Sequence, residues 1–162
     1  MKVHLHLSIE SDAGDVEEIK EIITLERKTT LTPDRLGLSL AESKQVPQEM
    51  QQILVAHQTA TYVADQQQCP DCGVERKRKG THTLVYRTLF GKLKIASPRF
   101  YTCPCQKRET RSSSPLAEVL KERTAPELVY LESKFAALMS YGLTVELLME
   151  DGSEPVLLDE AA

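Results

Sequence analysis

Four cysteines, the only four in the chain, fall as two close pairs, Cys69-Pro-Asp-Cys72 and Cys103-Pro-Cys105. Between them Thr81 to Phe90, then Gly91, then Lys92 to Ser97 reads as a β-hairpin with a glycine at its turn. Each tight pair places two thiolates on one side of a turn. A hairpin carries both turns to the same end, where four sulfurs complete a tetrahedron around one ion. Cys69, Cys72, Cys103 and Cys105 are therefore the expected ligands of a zinc ribbon.

Physical need points the same way. From Cys69 to Arg111 the large apolar groups are chiefly Leu84, Val85, Tyr86, Leu89, Phe90, Leu93, Ile95, Phe100 and Tyr101. A unit of roughly 40 residues seldom buries enough surface to fold without a metal, a disulfide or a partner. A structural zinc site contributes an apparent ~10–16 kcal/mol, enough to offset the ordering cost. Disulfides are the alternative, but Met1-Lys-Val-His-Leu-His alternates and forms no apolar signal block, so a reducing cytoplasm is expected. A bond within Cys103-Pro-Cys105 would also be strained. His82 is a further candidate ligand, but it sits mid-strand beside four thiolates and is expected to be packed or solvent-facing.

Charge is distributed unevenly. The net charge of −4 conceals eleven Lys/Arg against three Asp/Glu between Cys69 and Arg111, a local charge of +8. Residues 1–68 carry −5 and residues 112–162 carry −7. A basic island between acidic flanks suggests a polyanionic partner addressed by the ribbon. Its members are Arg76, Lys77, Arg78 and Lys79 after the first cysteine pair, Arg87, Lys92, Lys94 and Arg99 on the hairpin, and Lys107, Arg108 and Arg111 after the second pair. Arg87 and Arg99 can fork onto phosphates, while Lys92 and Lys94 share one strand face. No apolar run approaches the ~20 residues of a membrane span, so no membrane partner is expected.

The remaining chain is read as an α+β frame around the ribbon. Lys2 to Glu10 alternates strictly and reads as a half-buried strand, its partner open. His4 and His6 sit on its polar face, with no further ligand near in sequence. Asp15 and Glu18 form a capping box over an expected helix with Val16, Ile19, Ile22 and Ile23 as its stripe, ending near Lys28. Ser39 and Glu42 form a second box, Pro47 is expected to break or kink that helix, and Gln48 to Gln67 continues it amphipathically through Met50, Ile53, Leu54, His57, Ala60, Thr61 and Ala64. After the ribbon, Lys107 to Ser114 reads as a linker. Ser114 caps a short helix to about Arg123, and Thr124 with Glu127 caps the next, which Gly142 stops. Thr144 caps a last helix over Val145 to Glu150, so that a helix-turn-helix corner is one reading of this segment. The expected division is 1–68 (strand, helix, helix), 69–111 (ribbon), 112–150 (helical) and a divergent tail, 151–162.

No catalytic constellation appears: the carboxylates sit at helix starts or on acidic helical surfaces, and Ser112-Ser-Ser114 lacks a nearby histidine. No glycine-rich phosphate loop and no HExxH is present.

Cys69-Pro-Asp-Cys-Gly73, Lys79-Gly-Thr-His-Thr83, Arg87-Thr-Leu-Phe-Gly-Lys-Leu93, Ser97-Pro-Arg99 and Cys103-Pro-Cys105 together resemble the amino-terminal region of the ISKra-type insertion-sequence transposases. The likeness continues through Ser114-Pro-Leu-Ala117, Glu122-Arg-Thr-Ala-Pro-Glu-Leu128, Tyr130-Leu-Glu132 and Leu138-Met-Ser-Tyr-Gly-Leu-Thr144. Ile9-Glu-Ser-Asp12 and Leu36-Gly-Leu-Ser-Leu-Ala-Glu42 also look like the family, so the resemblance covers about residues 1–149. It implies a bacterial mobile-element protein whose front end recognises DNA at the element ends. A ribonuclease-H-like catalytic domain with an acidic triad follows in that family. After Met149 this sequence departs from the family, and no triad residue can be carried over. The expectation is a non-enzymatic, zinc-stabilised DNA-binding portion of a transposase, either a truncated remnant or a short product. Homo-oligomers or full-length transposase are the further partners. The rival readings are a regulator that pairs with the full-length enzyme, a protein-interaction ribbon associated with transcription or translation, and a nuclease with an unforeseen site.

Overall fold

The computed structural model describes residues 1–10, 13–27, 32–33, 36–106 and 110–150. The expected tail, 151–162, lies outside them, as do Lys107 and Arg108. The chain separates into two compact units, Met1–Val55 and Ala56–Ala162.

In the first unit, β1 (Lys2–Glu10) pairs antiparallel with β2 (Val16–Glu26), which supplies the missing partner. The helix expected from Asp15 is therefore a strand. Val16, Ile19, Ile22, Ile23 and Thr24 are β-branched and stiff at χ1, which favours the pleated surface. Register shifts between Leu5 and His6 and between Ile9 and Glu10 each insert one residue into β2, so Val16 and Ile19, three apart, share the face of His4 and His6 while Ile23, opposite Leu5, lies on the other. A bulge turns the two-residue period of a strand into a local three, which imitates a helix. Glu18 makes no capping contact and pairs instead with Lys20 at 3.1 Å.

The second capping box forms as expected: the Ser39 N–H donates to Glu42 Oε2 at 2.8 Å and the Glu42 N–H to Ser39 Oγ at 3.3 Å. It opens α1 (Leu40–Asp65), a single helix that continues through Pro47. Proline there removes one donor, toward the Ser43 carbonyl, and the long downstream helix propagates past that loss. None of the residues of α1 is buried; Met50 and Leu54 of its expected apolar stripe remain 37% and 39% exposed.

Arg27 locks the end of β2 to the start of α1. Its guanidinium forks onto the Glu42 carboxylate at 2.8 and 2.7 Å and donates to the Gly37 carbonyl at 2.9 Å. That fork, with the Ser39 hydrogen bonds, holds the Glu42 carboxyl down at about 2, well below its usual 4.5. A depressed carboxyl pKa adds stability above the unfolded value and loses it as pH falls through the folded one. Acid should therefore loosen this junction progressively between about 4.5 and about 2. Glu42→Gln should flatten that dependence, as read from amide exchange of Arg27 and Ser43; a Glu42 carboxyl titrating at its ordinary value by NMR would refute the expectation.

In the second unit, β3 (Arg78–Thr88) and β4 (Gly91–Tyr101) form the expected antiparallel hairpin, from Arg87↔Lys92 at the tip to Arg78↔Phe100. Leu89 and Phe90 make the turn, and Gly91 follows at φ 108, where a side chain would be strained. Thr88, 2% exposed, closes it by donating to the Gly91 carbonyl at 2.8 Å and accepting from the Phe90 N–H at 3.2 Å.

A third strand, β5 (Ser112–Ser113), pairs with β4 through Phe100↔Ser113 and Tyr101↔Ser112. The end of the expected linker is thus part of the sheet. α2 (Pro115–Val119) is shorter than expected, and Ser114 makes no side-chain cap; its hydroxyl is 2.7 Å from that of fully buried Ser97. The buried Ser97 hydroxyl takes the partner that the helix start would otherwise use. α3 (Pro126–Leu138) is led by Ala125 rather than Thr124, because residues 123–125 bond β3: the Arg87 N–H donates to the Arg123 carbonyl and the Ala125 N–H to the Arg87 carbonyl, each at 2.8 Å. α4 (Tyr141–Glu150) begins four residues earlier than expected and contains Gly142, which has no positive φ. The Ser140 carbonyl starts it, accepting from the Thr144 N–H and hydroxyl at 3.0 and 3.2 Å. The α3–α4 connection is thus Met139-Ser140, shorter than the expected corner.

Leu84, Leu93, Ile95 and Phe100 of the hairpin are buried together with Leu116 of α2 and Leu128 of α3. The hairpin therefore borrows a core from the helices that follow it, and does not rely on a metal alone.

Candidate metal centre and basic surface

The Cys69 turn is built by three local devices. The Gly73 N–H returns to the Cys69 carbonyl at 2.8 Å, the Cys69 N–H donates to the Val74 carbonyl at 2.9 Å, and Gly73 takes φ 72 to allow the reversal. In the second turn the Gln106 N–H donates to the Cys103 carbonyl at 2.9 Å, and the Gln106 amide reaches across to Asp71 at 2.8 Å. β3 and β4 thus deliver the two turns to one end of the sheet, as the spacing predicts.

The four Sγ atoms lie within 4.8 Å of one another. Cys69 to Cys105 is 3.5 Å, and Cys72 is 3.4 Å from both Cys103 and Cys105. A disulfide needs about 2.05 Å, and all four cysteines are free. A tetrahedron with zinc–sulfur bonds of about 2.3 Å has edges of about 3.8 Å, so the close sulfur pairs need only spread by a few tenths of an ångström to admit an ion. Cys69 and Cys103 are buried, Cys72 and Cys105 exposed.

Burial pushes the Cys69 thiol up, but hydrogen bonds from the backbone at Asp71 and Cys72 and from the neighbouring thiols outweigh it and hold it at about 7. Cys105 is driven up by Cys72, Cys103 and Cys69. One thiolate is therefore prepared by the turn, while further ones repel each other until a cation neutralises them. His82 stands outside this cluster, half-buried, its Nδ1 enclosed without a hydrogen-bond partner.

The basic residues do not form one surface. Arg76 is turned inward: 8% exposed, it stacks over the Phe100 ring at 5.3 Å and donates to the Gln66 carbonyl. Lys77, Arg78 and Lys79 are exposed near the cysteine end, where Lys79 lies over the Tyr101 ring at 5.8 Å. Arg99, opposite Gly80, and Arg111 are exposed at that same end. Arg87 and Lys92 face each other directly at the tip, and Lys94, opposite Val85, extends the same face. Phe90 and Tyr101 had counted among the hairpin's apolar groups but are 43% and 46% exposed, one in each basic cluster. For Tyr101 the signal was available in the strand alternation that buries its neighbour Phe100.

Comparison with protein-family models, curated proteins and solved structures gives no match. Among the described residues no helix is long and apolar enough to cross a membrane.

Proposed function

We propose that this chain is a zinc-stabilised DNA-binding module, the cytoplasmic front portion of an insertion-sequence transposase without strand-transfer chemistry of its own. Cys69, Cys72, Cys103 and Cys105 hold zinc and set the two feet of a ribbon hairpin. Arg87, Lys92 and Lys94 contact phosphates at the tip. Lys77, Arg78, Lys79, Arg99 and Arg111 form a second contact set toward the cysteine end.

One observation carries this reading: Arg87 and Lys92 are cross-strand partners. With Lys94 on the same face, the paired strands hold three cations in one place, a fixed positive field for an anion. Beside that pair Phe90 presents an exposed ring, the kind of group that stacks on a base or wedges a base step. Charges on a paired hairpin also lose little freedom on binding, which a mobile basic tail would forfeit.

The test is the salt dependence of binding to a duplex, followed by fluorescence anisotropy. Lys92→Gln with Lys94→Gln should reduce the slope of log K against log salt by about 1.8, at about 0.9 per phosphate contact, and Arg99→Gln by about 0.9 more. An unchanged slope removes the hairpin from the interface. Equal or tighter binding of single strands would instead assign the tip to stacking on unpaired bases.

A further inference from the structure

We propose that His4, His6 and Glu21 form a second divalent-metal site, on the exposed face of the β1–β2 sheet and distinct from the cysteine cluster. The two histidines are two residues apart on β1 and so share a face. Their rings stack with centroids 6.2 Å apart and planes 22° from parallel. The carboxylate comes from the other strand: Glu21 is the direct cross-strand partner of His6, and its Oε2 lies 3.5 Å from His4 Nδ1. One ligand atom from each of the three lies within 4.8 Å of the others.

The register shift makes this constellation. Pairing that continued unbroken from Leu5↔Ile23 would set Ile22 against His6. The extra residue in β2 advances the register by one and puts Glu21 there instead. A bulge costs ladder regularity and re-aims a side chain, and here it exchanges an isoleucine for the carboxylate that the histidine pair lacks. Thr24, opposite His4, then steadies both partners: its hydroxyl donates to Glu21 and lies 2.9 Å from His4 Nδ1.

Two imidazoles and one carboxylate suit zinc, nickel or cobalt, with the remaining positions left to water. An ion taken by His4 Nδ1 displaces the Thr24 hydroxyl from that nitrogen, and the hydroxyl keeps its donor bond to Glu21. Lys2 and Glu26, the adjacent pair on the same face, bond each other at 2.8 Å and stay outside the site.

The chain is loaded with a single equivalent of zinc, freed of excess metal and dialysed against Co²⁺, and bound cobalt and released zinc are counted. The expected result is one extra equivalent of cobalt with visible d–d absorption and no thiolate-to-cobalt charge-transfer band. His6→Ala and Glu21→Gln should each weaken that equivalent by about 100-fold or more, and Glu26→Gln should leave it unchanged. Uptake below one equivalent at millimolar cobalt, or an equivalent held as tightly in both variants, overturns the proposal. A charge-transfer band with zinc release reports on the cysteine centre alone, so the two sites stand or fall separately.

Discussion

Cys69→Ser should strip the protein of zinc and unravel the cysteine end of the hairpin. Cys69 is 2% exposed and its sulfur lies 3.5 Å from that of Cys105, so serine leaves a buried hydroxyl and only three sulfurs to hold an ion. A structural zinc contributes an apparent ~10–16 kcal/mol, against a total stability of ~5–15 kcal/mol for an ordinary domain. The loss should be graded along the sheet. Amides of Gly73 and Gln106, bonded to the Cys69 and Cys103 carbonyls, should lose exchange protection first. Those of Leu84 and Leu93, over the shared core, should lose it last. Zinc content, measured by mass spectrometry, and Gly73 protection should fall together, and a chelator should reproduce the effect on the parent chain. A Cys69→Ser protein that keeps stoichiometric zinc, or loses it with Gly73 still protected, would separate the cysteine cluster from the fold.

How much of the fold was legible depended on whether its signal was local. The Ser39–Glu42 box is written in four residues and forms as read. The hairpin is marked by alternation on both sides of Gly91, which the structure places in the conformation that residue favours. β2 failed for the opposite reason. Its three-residue spacing belongs to an extended strand with inserted residues, and nothing within residues 15–26 says so without β1 alongside. Thr124 was misread as a cap because residues 123–125 are spent on β3, whereas Ser114 holds the cap position ahead of Pro115 as read but turns its hydroxyl to Ser97.

The candidate site follows the same rule. Four cysteines in two tight pairs name their own cluster, since each pair is a turn and the hairpin joins them. Glu21 was invisible beside His4 and His6, being fifteen residues from His6 in sequence and brought there by a register shift. Arg76 looked like any member of its basic run, yet the Phe100 ring and the Gln66 carbonyl draw it inward.

Leu128→Ala should destabilise the hairpin from outside it. Leu128 lies on α3, far in sequence from both strands, and is 0% exposed. It is buried alongside Leu84, Leu93, Ile95 and Phe100, so truncation empties volume that the hairpin's own residues cannot fill. Leucine-to-alanine changes at such sites cost about 2–5 kcal/mol, depending on how far the surroundings collapse. On the proposed zinc centre the metal content should not change, so the loss reads on the core and not on the cysteine cluster. In urea the zinc-loaded variant should show a lower midpoint with an unchanged slope, and amide protection should fall in β3 and β4 together with α3. If α3 alone loosened while the Leu84 and Leu93 amides kept full protection, the ribbon would be an autonomous metal-stapled unit. Coupled loss makes residues 112–138 part of the same folding unit as the basic hairpin, and the geometry of its charged tip would then be set in part by α2 and α3.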